Sequence, residues 1–114
     1  MINKNEFIDI LKELGIQINE GITPEHAKEN YPRIVMWAYV SEFQAASGSA
    51  YNDVRTYQVS LMSKEPDEPK LQELRRKMLN NHILPSINHE YIEESRVWHS
   101  FFSIDLVEGI IDEW

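Results

Sequence analysis

The chain of 114 residues contains no cysteine. Disulfide staples, thiolate metal sites and cysteine nucleophiles are therefore excluded. Long apolar runs are missing too. The longest covers residues 34–40, far short of the roughly 20 residues that a membrane-spanning helix needs. Glycine is scarce, and each of the four stands alone. No phosphate-cradling glycine loop is present, and no serine sits in a G-x-S-x-G frame. Positive charge is also in short supply: 11 Lys and Arg face 19 Asp and Glu, for a net charge of −8. Lys4, Glu6, Asp9, Lys12 and Glu13 interrupt the first apolar stretch, which is not the pattern of a signal peptide. What the chain does have is 42% hydrophobic residues, enough to pack one core in a single domain spanning 1–114. The expectation is a soluble, acidic domain, intracellular or bound to a particle.

The charge is uneven. Residues 64–82 hold five of the basic residues, whereas residues 83–114 carry Arg96 alone against seven acids. Most of such a surface repels free nucleic acid. The one basic cluster, Arg75, Arg76 and Lys77, is either a solvated helix face or a patch that meets the acidic C-terminal third of another copy.

Local patterns give an order of elements. Residues 4–14 read as a helix capped by Asn3, with Glu6 three residues later and Ile2 and Phe7 as a hydrophobic staple. Phe7, Ile10, Leu11 and Leu14 form its apolar face. Residues 16–21 are ambiguous, and residues 23–26 read as a capped turn. Residues 33–43 read as a strand that is apolar on both faces, Ile34, Met36, Ala38 and Val40 opposite Val35, Trp37, Tyr39 and Phe43. Such a strand needs to be central or to have a partner over its second face. Residues 45–53 form a loop or hairpin tip, and residues 55–62 a half-buried strand with Tyr57, Val59 and Leu61 inward. A helix follows, with Asp67 as its expected cap, Pro69 in its first turn, and Leu71, Leu74 and Met78 as the buried stripe. Glu73 and Lys77 are spaced as an outward ion pair. Residues 87–94 and 97–106 read as a hairpin turned at Glu94-Ser95-Arg96. Residues 107–114 read as an acidic tail whose Ile110, Ile111 and Trp114 dock on this subunit or a neighbour. The fold class expected is α+β, a mainly antiparallel four-stranded sheet with helices on one face, in the order helix-strand-strand-helix-strand-strand. Residues 1–32 form the N-terminal helix and connector, 33–106 the core and 107–114 the tail.

The blocks RIVMWAYVSE, TYQVSLMS, KLQELRRKML and YIEESRVWHSFFSIDL occur in this order. Together they resemble the tail terminator, or tail completion, proteins of long-tailed bacteriophages. Tyr57, Val59 and Leu61 match the family's Tyr-x-Val-x-Leu strand. Trp98, Phe102 and Ile104 match its last aromatic strand, after an acidic turn like Glu93-Glu94. Trp98 stands where tyrosine is more usual, and Asn52-Asp53 reverses the expected order. The resemblance covers residues 33–106 and implies a structural task without catalysis or cofactor. Such proteins form a ring, usually of six copies, on the head-proximal end of the tail tube in the virion, after assembly in the host bacterial cytoplasm. The ring stops tube polymerisation and offers a docking face to the head connector, while DNA passes through its bore unbound. The tail tube protein and the connector or stopper are its partners, and no membrane is involved.

Trp37, Tyr39, Phe43, Arg75, Arg76, Lys77 and Trp114 are the candidate subunit-interface residues. Ser47, Gly48, Ser49 and Tyr51, in the loop, are the candidates for touching the tube. The alternatives are a head-tail connector or stopper subunit, or a small ligand- or nucleic-acid-binding α+β domain. For the last, Trp37, Tyr39 and Phe43 would stack bases, but flanking cations are missing apart from Arg33. A metal site from His89, His99 and a carboxylate at Glu90 or Glu93 has no ligand-like spacing. Glu93 and Glu94, adjacent on a strand, point to opposite faces and cannot share one substrate atom. His26 and His82 stand alone.

Overall fold

The computed structural model describes residues 1–21, 30–45, 48 and 50–111. The expected turn at residues 23–26, and Ser47, Ser49 and Trp114, lie outside them. The first element, α1 (Lys4–Lys12), starts as its sequence requires. The backbone N–H of Glu6 donates to Asn3 Oδ1 at 2.8 Å, satisfying one of the helix's free first-turn donors. Phe7, Ile10 and Leu11 recur at helical spacing and are buried. Gly15, at φ +70, turns the chain in a region that costs glycine little.

The sheet has five strands and is mixed rather than four-stranded and antiparallel. The strands are β1 (Gln17–Glu20), β2 (Arg33–Ala45), β3 (Tyr51–Ser63), β4 (Asn88–Ile92) and β5 (Val97–Ile111), in the spatial order β1-β2-β3-β5-β4. The extra strand, β1, comes from the ambiguous stretch and pairs in parallel with β2, Gln17 opposite Arg33 and Glu20 opposite Met36. The other three pairings are antiparallel. Two antiparallel pairings also run further than expected, β2 with β3 and β3 with β5, while the β4–β5 hairpin is confined to Asn88–Ile92 opposite Val97 to Phe101. β2 and β3 continue until Ala45 faces Tyr51, so both ends of the expected loop, Ala45 and residues 51–53, are strand. β5 continues to Ile111 opposite Tyr51, so residues 107–111 are sheet rather than tail. The sheet therefore exceeds residues 33–106 at both ends.

The second helix, α2 (Pro69–Asn80), has Pro69 in its first turn, where no intrahelical bond is lost. Its cap is Glu68, whose carboxylate accepts the Lys70 N–H at 3.3 Å. Asp67, the expected cap, instead accepts from the Gln72 side chain. Leu71, Leu74 and Met78 are buried with the α1 stripe against Ile34, Met36, Tyr57, Val59, Leu61, Phe102 and Leu106. Phe7 meets Phe102 edge to face at 6.5 Å, a favoured aromatic geometry. Both helices thus cover one face of the sheet, as expected. The other face carries no helix among the described residues.

Candidate functional site

The face without a described helix has its apolar surface on β2 and β5. Paired residues in a sheet share a face, so the register groups Val35 with Ser60 and Phe101, and Trp37 with Gln58 and Ser103. Val35 is buried, whereas Trp37 is 36% and Tyr39 54% exposed, and Val40 is exposed beside them. The register shift between Ala38 and Val40 leaves Tyr39 as an extra residue, a β-bulge that re-aims its side chain. The Tyr39 hydroxyl shares a 2.8 Å hydrogen bond with Ser103 Oγ, two strands away. Its ring therefore lies across the sheet instead of standing up from it.

That bulge separates the three expected aromatics. Trp37 faces Gln58 and Phe43 faces Asp53. Gln58 and Asp53 are five residues apart on an unbroken strand, so they and their partners lie on opposite faces. Phe43 is exposed, but it belongs to the other side of the distal hairpin. A single Trp37-Tyr39-Phe43 platform, for subunits or for bases, does not form.

Among the described residues, the same strand is paired along only part of its outer edge. β1 pairs with β2 only over Arg33 to Met36, and the Gly21 N–H closes the ladder on the Met36 carbonyl at 2.8 Å. From Trp37 to Ala45, β2 has β3 on one side and, among the described residues, no strand on the other. Backbone groups from Trp37 to Glu42, on an edge that no described strand covers, are a template for a further strand. A bulge, and the charge of Glu42, are common ways of restricting which strand pairs there.

The basic cluster is divided between two tasks. The Lys77 ammonium is 2.9 Å from Glu13 on α1, and this hydrogen bond, against some desolvation, raises its pKa. Lys77 thus ties α2 to α1 within the chain, and Glu73, its expected partner, pairs with Lys70 instead. Arg75 and Arg76 point outward at the rim of a groove between α2 and residues 83–87. Of the loop residues, Gly48 makes the turn at φ +67 and Tyr51 is exposed at the end of β3.

The register also assembles a hydrogen-bonded line that the sequence conceals. His99 Nε2 is 2.7 Å from Ser60 Oγ, and His99 Nδ1 is 2.9 Å from Glu90 Oε1. The order Ser-His-carboxylate is that of a hydrolase triad. Ser60, however, is 0% exposed and sits inside β3 between two paired strands. A substrate carbonyl has no approach to its Oγ, and the neighbouring backbone N–H groups are committed to the ladders rather than to an oxyanion. The line instead satisfies polar groups beneath Phe101, on which the His99 ring stacks at 4.7 Å. No residue pattern signals it, because three separate strands contribute. His89 pairs with Ser100 and Glu90 with His99, so the two histidines face opposite sides and cannot share a metal. No cluster of metal-ligating side chains occurs among the described residues.

A second polar group lies under the start of α1. The Tyr57 hydroxyl donates to Glu108, and Lys4 is within 3.8 Å of the same carboxylate and 2.7 Å from Glu20. Burial, and then the bond to Glu108, push the Tyr57 pKa up. Burial pulls Lys4 down, but hydrogen bonds to Glu20 and Tyr57 and the Glu108 charge override it, leaving its pKa raised. Arg55, 3.3 Å from Asp53, completes this seal at the end of the core.

No known protein-family profile matches the chain, and no curated protein is significantly similar to it.

Proposed function

We propose that the chain is a non-catalytic assembly protein of a phage virion, of the tail terminator kind. On this reading, copies close into a ring of about six on the head-proximal end of the tail tube, consistent with cyclic assembly from heterologous contacts. The observation that carries it is the helix-free side of the sheet, where Trp37, Tyr39 and Val40 stay exposed beside a stretch of β2, Trp37 to Glu42, whose outer edge no described strand covers. A ring built from heterologous contacts needs two unlike surfaces on each copy. The β2 side supplies one, and the basic groove on the α2 side supplies another. The net charge of −8 suits a bore through which DNA slides without adhering. The sealed Ser60 fits a structural task better than hydrolysis.

The test is omission of the protein from infected cells, read by electron microscopy of the products. The reading expects tail tubes of uncontrolled length. Tails of normal length that fail to join heads would favour the connector or stopper alternative. Normal, infectious virions would refute both.

A further inference from the structure

The groove between α2 and residues 83–87 has a volume of about 460 Å³. Met78, Leu79, Ile83 and Leu84 give it an apolar floor and wall, and Arg75 and Arg76 stand at its rim. Leu84 is 75% exposed and Leu79 is also exposed, so no described residue covers this apolar surface. Among the described residues, Arg75 holds the neutral Gln72 side chain, at 2.9 Å, and no carboxylate. Arg76 makes no ion pair with a described residue. An occupant that fits must be apolar and acidic at once.

The end of β5 and the residues after it make such a segment. Residues 110–114, IIDEW, hold Asp112 and Glu113 between large apolar side chains. We propose that this segment of a second copy fills the groove, with Ile110 and Trp114 on the apolar floor and the two carboxylates on Arg75 and Arg76. The same chain cannot supply it. Ile87, which lines the groove, precedes Asn88, and Asn88 pairs with Phe101. Ile111 lies ten residues further along β5, about 33 Å away at the usual rise. Trp114 is three residues beyond Ile111 and reaches back at most about 10 Å. The contact is therefore made between copies. It is heterologous, because groove and segment are different surfaces, and it propagates head to tail. The proposal rests on the ring reading and names one of its joints.

Absence of native cysteine gives a clean test. Leu84→Cys at the groove and Asp112→Cys in the segment are placed in the 114-residue chain, which keeps Glu113 and Trp114, and oxidised under mild conditions. The expected result is a ladder of disulfide-linked chains on a non-reducing gel. Adding Arg76→Glu should slow its formation at least tenfold, and Glu113→Arg on top should restore much of it. Rings detected by mass without a ladder would overturn the docking but leave the ring reading standing. A disulfide only within one chain, or a ladder indifferent to Arg76→Glu, would also overturn the docking. A chain that stays monomeric and unlinked at every concentration would overturn both.

Discussion

Trp37 and Tyr39 should have opposite priorities, one for folding and one for assembly. A large aromatic side chain buries about 200 Å² in full. With 36% of Trp37 and 54% of Tyr39 exposed, the lone subunit already covers about 130 Å² of the first and about 90 Å² of the second. At roughly 25 cal/mol per Å², those areas stabilise the monomer by about 3 and about 2 kcal/mol. The uncovered remainders, about 70 and about 110 Å², give a neighbour up to about 2 and about 3 kcal/mol. Trp37→Ala should therefore cost more in urea denaturation of dilute monomer. Tyr39→Ala should cost more in assembly, weakening association per joint by up to roughly a hundredfold. Tyr39→Phe keeps the ring and loses only the bond to Ser103, so it should assemble within a few-fold of the wild type. Urea midpoints and sedimentation profiles over a concentration series measure both effects. If Tyr39→Ala lowers the urea midpoint more than Trp37→Ala while assembling normally, the open face is not an interface and the reasoning fails.

The core makes its own prediction. Leu74 is fully buried between the helices and the sheet, so Leu74→Ala should lower stability by about 2–5 kcal/mol, whereas Leu79→Ala on the exposed side of the same helix should change monomer stability by less than about 0.5 kcal/mol. Chemical denaturation separates the two. The buried cluster under α1 predicts an alkaline limit. Tyr57 and Lys4 have folded-state pKa values above their ordinary 10.0 and 10.5, so the folded state holds those protons more tightly than the unfolded one. Their contribution is complete below about pH 10 and is lost as pH rises through the raised values. The melting temperature should fall across that window, and Tyr57→Phe should make the fall shallower. An identical profile in the variant would remove Tyr57 from the explanation.

Features set by neighbours in sequence were legible in it. Asn3, Glu6 and Phe7 announce the start of α1, and Leu71, Leu74 and Met78 announce the buried side of α2, because caps and stripes are local. β1 was not legible. Gln17, Asn19 and Glu20 are polar, four residues are too few to display a period, and parallel pairing with β2 decides the outcome. The outer part of β5 was hidden by Glu108 and Gly109, which look like the end of a strand. The fold inserts Glu108 as an extra residue between Val107 and Gly109 and satisfies its carboxylate with Tyr57. The Tyr39 bulge was equally silent, and it alone moves Phe43 away from Trp37. Simple alternation carries no mark of a one-residue insertion in the pairing. At the candidate site, Arg75 and Arg76 were legible as an outward patch. Lys77 was not separable from them, because its partner Glu13 is 64 positions away. The Ser60-His99-Glu90 line needed the register of three strands.

The most direct measurement is the mass in solution of the purified protein, alone and mixed with tail tube protein. The account predicts a discrete closed oligomer of about six copies, formed by itself or on meeting the tube, by repetition of one heterologous joint. A single unassociated subunit under both conditions, across the whole accessible concentration range, would contradict it.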